Sequence, residues 1–144
     1  MIAIGSDHGG INLKNIIKEF LDKKDIKYKD FGTYTADSCD YPDIAKAVCG
    51  SVVSGECEKG ILVCGTGIGM SMAANKIKGI RAAHVTDTYS ARMTKEHNDA
   101  NVICLGERIT GCDLALEIVN AYLEASFQGG RHETRVNKVM ELEK

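Results

Sequence analysis

The sequence predicts an α/β fold: a doubly wound, Rossmann-like five-stranded parallel sheet flanked by helices, with one extra helix at the C-terminus. Three observations carry that expectation. Short apolar runs alternate with helical patterns five times along the chain. The runs at 60–64 and 102–105 are apolar without interruption, as strands covered on both faces are. Strands separated by helices also require right-handed crossovers, which make the sheet parallel. The 144 residues suffice for one domain of ordinary size, spanning 1–144, whose core needs no disulfides or metals.

In order, residues 1–5 read as a first strand, ended by Ser6-Asp7-His8-Gly9-Gly10. Leu13, Ile16, Ile17, Phe20 and Leu21 then recur at helical spacing. A weaker strand is expected at 27–32. The next helix carries Ile44, Ala45, Val48, Val52 and Val53, with Pro42 near its first turn, where a missing N–H does no harm, and Gly55 at its end. Strand three is 60–64, and residues 65–69 turn into a short helix. A strand at 80–85, a helix at 86–97, a strand at 102–105 and a helix at 114–125 come next. A last helix is expected over about 130–142.

Lys+Arg number 18 against Asp+Glu 20, a net charge of −2, so no global positive field recruits nucleic acid and any bound anion must be held by a local cluster. The six cysteines form neither a CxxC pair nor a zinc-type spacing, so they read as reduced thiols of a cytoplasmic protein. No segment approaches the roughly twenty apolar residues that span a bilayer, and the N-terminus lacks a signal peptide's basic start.

In parallel sheets of this kind ligands bind beyond the carboxyl ends of the strands, which directs attention to Asp7-His8, Cys64 to Gly69, Thr86-Asp87 and Gly106-Glu107-Arg108. Most informative is Cys64-Gly65-Thr66-Gly67-Ile68-Gly69. Three glycines at alternate positions leave backbone N–H groups open to approach, and such a loop can cradle an anion at a helix N-terminus. The GxGxG spacing is neither the dinucleotide fingerprint nor a P-loop. Cys64 sits where the strand meets the loop, where loop amides and the helix favour a thiolate able to act as base or nucleophile. Cys49 and Cys104 instead fit the apolar faces of a helix and a strand.

Among the four histidines, His8 follows strand one beside Asp7 and suits polar contact with a ligand. His84 lies inside strand four and reads as a satisfied sheet histidine. His97 reads equally as a helix-terminal cation or as a functional group beside Asn98. Arg131 and Arg135, four apart after Gly129-Gly130, share one face of the last helix; two guanidinium forks grip phosphate well, although such a run is also how a solvated basic face looks. Arg108 is a third phosphate candidate.

Six stretches now stand in register: Gly5-Ser6-Asp7-His8-Gly9-Gly10, Asp40-Tyr41-Pro42, Cys64 to Gly69, Ala73-Ala74-Asn75-Lys76, His97-Asn98-Asp99-Ala100-Asn101 and Gly129-Gly130-Arg131-His132-Glu133-Thr134-Arg135. Together they make the chain resemble the type B ribose-5-phosphate isomerases, within the family that also holds galactose-6-phosphate isomerase subunits. The resemblance covers nearly the whole chain. It implies one sugar-phosphate isomerase domain over 1–144 that interconverts D-ribose 5-phosphate and D-ribulose 5-phosphate in the non-oxidative pentose phosphate pathway, with no metal and no cofactor. It implies a homodimer or homotetramer whose active site draws on two subunits. By the same resemblance Cys64 is the base that moves the C2 proton and His97 assists ring opening. Thr66 and the amides of Gly65, Gly67, Ile68 and Gly69 stabilise the enediolate. Asp7, His8 and Asn98 contact the sugar, and Arg108, Arg131 and Arg135 reach the phosphate. Some family members use a glutamate as base; the cysteine here resembles the other subgroup.

The chemistry agrees with these roles. A sugar phosphate is mostly a closed ring, so an acid–base group must open it before a proton next to the carbonyl becomes accessible, and histidine titrates in the useful range. Preorganised amides at the developing oxyanion are each worth roughly 3 kcal/mol. Gripping the phosphate supplies remote binding energy that orients the reacting end. Three other readings stay open on the sequence: an isomerase of allose 6-phosphate or galactose 6-phosphate with the same residues, a non-catalytic flavodoxin-like module that binds an anion or nucleotide, and a metal enzyme using Asp7, His8 and His97.

Overall fold

The computed structural model describes residues 1–144. Five parallel strands, β1 (Ile2–Ser6), β2 (Tyr28–Asp30), β3 (Lys59–Cys64), β4 (Ala82–His84) and β5 (Val102–Gly106), form one sheet in the order β2-β1-β3-β5-β4. Six helices connect and flank them: α1 (Ile11–Lys23), α2 (Tyr41–Val53), α3 (Ile68–Asn75), α4 (Thr88–Glu96), α5 (Cys112–Glu124) and α6 (Arg131–Glu141). The expected doubly wound α/β class is the observed one.

Strand pleating sorts the core into two halves. Ile2, Ile4, Ile61, Val63, Ile103 and Leu105 face one side, against Leu13, Ile17 and Leu21 of α1, Ala91 of α4 and Ile118, Val119 and Tyr122 of α5. Ala3, Leu62, Cys64, Val102 and Cys104 face the other, against Ala45, Val48 and Cys49 of α2 and Met70 and Ala74 of α3. Every residue of β1 and β5 is therefore buried, which is why these strands read as unbroken apolar runs. Cys49 and Cys104 are the small apolar core residues the sequence indicates; burial pushes the Cys49 thiol up to about 12 and the Cys104 thiol well above its ordinary value.

Boundaries differ where tertiary context intervenes. The edge strands are shorter than read, 28–30 instead of 27–32 and 82–84 instead of 80–85, because each has a single neighbour. Gly32, at φ +99°, bends the chain out of β2, and the Ile80 amide turns back to the Ile77 carbonyl. Helix α4 starts at Thr88 and not at 86, since Asp87 is extended and its Oδ1 accepts the Ser90 amide at 2.7 Å. Asp87, one of the residues beyond the strand ends, is therefore a helix cap. Helix α5 begins two residues early, at Cys112, after an extended Gly111. Helix α6 has no buried residue.

A buried ion pair ties α1 to the loop after β2. Lys14, 1% exposed, donates to Asp30 Oδ1 at 2.9 Å and to the Thr33 carbonyl. Lys18 Nζ lies 2.8 Å from Asp30 Oδ2, and the Gly32 amide donates to Oδ1. Burial pushes the Asp30 carboxyl up, but the hydrogen bonds from Lys18, Gly32 and Lys14 outweigh it and hold the group below the ordinary carboxylate value. A depressed carboxyl stabilises the fold fully above about pH 4 and loses that contribution as pH falls through the lower folded value. Asp30→Ala, which leaves the Lys14 ammonium without its carboxylate, is expected to cost about 3 kcal/mol in urea unfolding at neutral pH, with the deficit closing in acid; a deficit independent of pH would contradict this account.

Candidate active site

Beyond the carboxyl ends of β1 and β3 the chain winds away in opposite directions, so the two loops leave a crevice between them. Cys64 ends β3 and is 5% exposed. The amide of Gly67 donates to its sulfur at 3.0 Å. Gly67 adopts φ +83° as it caps α3, a left-handed conformation that swings the amide back toward the cysteine and strains any other residue. The sulfur therefore lies at the N-terminal end of α3 with an amide N–H aimed at it. The Thr66 hydroxyl accepts the Ile68 amide at 3.2 Å. The amides of Gly65, Thr66 and Gly69 find no acceptor within the chain, so they are available to an oxyanion.

The loop is packed from several sides. Glu107 and Arg108 donate their amides to the Cys64 and Gly65 carbonyls at 2.9 and 3.0 Å. The Arg108 side chain lies across Gly65, where a Cβ would stand 3.1 Å from Nη1. A Cβ on Gly106 would come within 2.5 Å of the Thr66 backbone, so that close approach also demands glycine. From β1, Asp7 is buried and its Oδ1 accepts the Gly9 amide at 2.9 Å. His8 Nδ1 accepts the Cys39 amide at 3.3 Å, which leaves Nε2 as the ring's N–H donor.

The remaining candidates lie elsewhere. His97 follows the last residue of α4, with its amide bonded to the Met93 carbonyl at 2.8 Å. This turn precedes β5, whereas Cys64 is paired with the last residue of β5. Five strand residues put the two groups roughly 16 Å apart along the sheet. Asp7, His8, Cys64, Thr66, the glycine loop and Arg108 therefore gather at one end of the sheet, and His97, Asn98, Arg131 and Arg135 at the other. The trio Asp7, His8 and His97, considered as metal ligands, is not assembled within one chain.

At that second end a cavity of about 850 Å³ opens beneath α6. His97, Asn98, Arg81, His132 and Arg135 line it, with Ile77, Val136, Val139 and Met140 supplying apolar walls; Arg131 does not line it. The rings of His97 and His132 stack at 4.1 Å, 8° from parallel. Burial first, then the charges of His97, Arg131 and Arg135, hold the His132 imidazole below its ordinary value.

The Ribose/Galactose Isomerase family matches residues 2–139. The chain belongs to that family. It is 58% identical to the ribose-5-phosphate isomerase B of Clostridium thermocellum, whose solved structure superposes with a TM-score of 0.97 over 99% of this chain and 96% of that one. It is 44% identical to the ribose-5-phosphate isomerase B of Escherichia coli, with 99% of this chain and 95% of that protein covered. It is 45% identical to the D-erythrulose-4-phosphate isomerase of Pectobacterium atrosepticum, with 96% and 91% covered. The isomerase family indicated by the sequence motifs is thus the observed one, and no helix is long and apolar enough to cross a membrane.

Two contacts escape sequence reasoning. Tyr41 packs its ring on Gly69, where a Cβ would stand 2.8 Å from Cε1. His84, expected to be a satisfied sheet histidine, is paired with Cys104 in the ladder, but its side chain is exposed and makes no hydrogen bond; its ring lies against Gly67, 2.7 Å from where a Cβ would be. Neither carries a linear signal, because each depends on which loop the end of another element meets. Gly67→Ala should lose roughly 1–2 kcal/mol from the left-handed backbone alone, plus the collision with His84. In thermal unfolding the substitution should do less damage in a His84→Ala background; equal damage in both would remove His84 from the packing of the loop.

Proposed function

We propose that this chain interconverts D-ribose 5-phosphate and D-ribulose 5-phosphate without metal or cofactor, with Cys64 as the base. The observation that carries the proposal is the Cys64 sulfur receiving the Gly67 amide inside a loop whose Gly65, Thr66 and Gly69 amides are free. The Cys64 thiolate takes the proton from C2 of the open-chain aldose, and the electrons left behind move through C1 onto the carbonyl oxygen. Amides of Gly65 to Gly69, with Thr66, stabilise the resulting enediolate. Return of the proton to C1, with transfer of the C2 hydroxyl proton to the oxygen on C1, gives the ketose. Asp7 and the Nε2–H of His8 contact the sugar.

Ring opening falls to His97, with Asn98 beside it, and the phosphate to Arg108, Arg131 and Arg135. Five carbons and a phosphate at about 1.5 Å per bond reach roughly 8 Å, half the span between Cys64 and His97 in one chain. The reading therefore pairs the Cys64 end of one copy with the His97 end of a second, in a homodimer or a tetramer of such dimers, and the cavity under α6 is where the second copy's loop enters. A soluble cytoplasmic enzyme is consistent with this assembly.

Cys64→Ala and His97→Ala should each lose nearly all turnover while remaining folded. Mixed in equal amounts and allowed to exchange subunits, they should recover about a quarter of wild-type activity, because half of the dimers then carry one intact site. No recovery would sink the shared site, and turnover by Cys64→Ala would remove the thiolate base. In comparative kinetics kcat/KM should be highest for ribose 5-phosphate among the ribose, allose and galactose phosphates; a clear hexose preference would overturn the pentose assignment.

A further inference from the structure

His97 and Asn98, proposed to act in ring opening, make no side-chain hydrogen bond of their own, and the ring contact of His97 is the stack on His132. Their direction is therefore set by the backbone of the turn that carries them. That turn is conformationally costly: Asp99 sits at φ +47°, a left-handed conformation that non-glycine residues adopt reluctantly. Something must hold it there.

The holding group is Arg81, at the entrance to β4. Its Nε donates to the carbonyls of Asn98 at 3.2 Å and Asp99 at 3.1 Å. Its Nη2 donates to the Asp99 carbonyl at 2.7 Å and lies 3.5 Å from Oδ2 of the same residue. Its Nη1 contacts Met140 Sδ at 3.3 Å and so reaches α6 as well. The Arg81 backbone joins in: its amide donates to Asn101 Oδ1 at 2.8 Å and its carbonyl accepts the Asn101 amide at 3.0 Å. Lys95 grips the Asp99 carboxylate from the other side. A rigid planar fork suits this task, since two neighbouring carbonyls and a carboxylate lie in reach of one guanidinium.

Arg81 also lines the cavity under α6 beside Arg135, so a direct grip on the substrate phosphate is the competing role. The geometry argues against it, because Nε and Nη2 are directed at Asn98 and Asp99 and Nη1 contacts Met140, which leaves at most one N–H, on Nη1, without a partner. We infer that Arg81 is a positioning residue: it locks the turn 97–101 so that His97 and Asn98 face the substrate, and it does not bind the phosphate itself. This inference rests on the role proposed for His97 in ring opening.

Steady-state kinetics of Arg81→Ala and Arg81→Lys, with His97→Ala as reference, test it. Misplacing His97 by about an ångström should lower kcat on ribose 5-phosphate roughly 10- to 100-fold while KM stays close to wild type. Guanidinium ion added to Arg81→Ala should restore part of the lost kcat, and methylammonium should not. Arg81→Lys keeps the charge and the aliphatic stem, so it should fold, yet it should stay slow because one ammonium cannot replace the fork. A raised KM with unchanged kcat would make Arg81 a phosphate ligand and overturn the inference. Loss of kcat without guanidinium rescue would reduce Arg81 to a merely structural residue, and full turnover by Arg81→Lys would show that the fork is not needed. If His97→Ala turns over normally, the role of His97 itself fails and takes the inference with it; a slow His97→Ala beside a normal Arg81→Ala refutes the inference alone.

Discussion

The hydrogen bond from the Gly67 amide to the Cys64 sulfur is the contact on which the loop proposed to carry the chemistry depends. It exists because a central strand ends at Cys64 and the chain enters α3 four residues later, at Ile68, through a left-handed Gly67. The surroundings are then dictated by lack of space. Gly106 approaches the Thr66 backbone, Arg108 covers Gly65 and Tyr41 covers Gly69. Each neighbour fixes the loop from a different element, so the amides are oriented before any ligand arrives. Preorganisation of that kind gives dipoles their catalytic value, because nothing has to reorient as charge develops.

Around this contact the fold separates two kinds of chemistry. The carboxyl end of the sheet gathers a thiol, open amides, a buried carboxylate and an imidazole held as a donor. The amino end gathers stacked histidines, an amide side chain and arginines around a cavity. Strand length keeps these groups apart in one chain, since in a parallel sheet the chain leaves every strand at one edge and enters the next strand from the opposite edge. Helix α6 belongs to this second end and buries none of its residues. In the proposed assembly this helix, held away from the core above an open cavity, is the surface that meets another copy of the chain.

Sequence patterns and tertiary packing divided the work unevenly. The apolar runs at β3 and β5 and the spacing of Leu13, Ile17 and Leu21 were sufficient to read the layered α/β class, because a strand covered on both faces has no room for polar residues. The edge strands β2 and β4 were less legible, since a single ladder partner leaves little constraint on their ends. The glycine loop, Cys64, Asp7 and His8 were legible as a group because ligand chemistry in a parallel sheet concentrates where strands end. Lys14 could not be found in the same way: a lysine inside a helical pattern reads as surface, and only the arrival of Asp30 and the Thr33 carbonyl lets it be buried. Arg81 was hidden for a similar reason, its partners lying 17 and 18 residues further on.

The sequence by itself determined the order of elements, the parallel sheet and the family, and it named the residues proposed for the chemistry, because periodicity and local motifs are properties of neighbours along a chain. Tertiary structure alone decided that Cys64 and His97 stand at opposite ends of the sheet, that the His84 ring lies exposed against Gly67, and that Asp87 is a helix cap. These are distances between residues that are far apart in the chain, and such distances are fixed only when the strands have chosen their neighbours and the helices have packed against them.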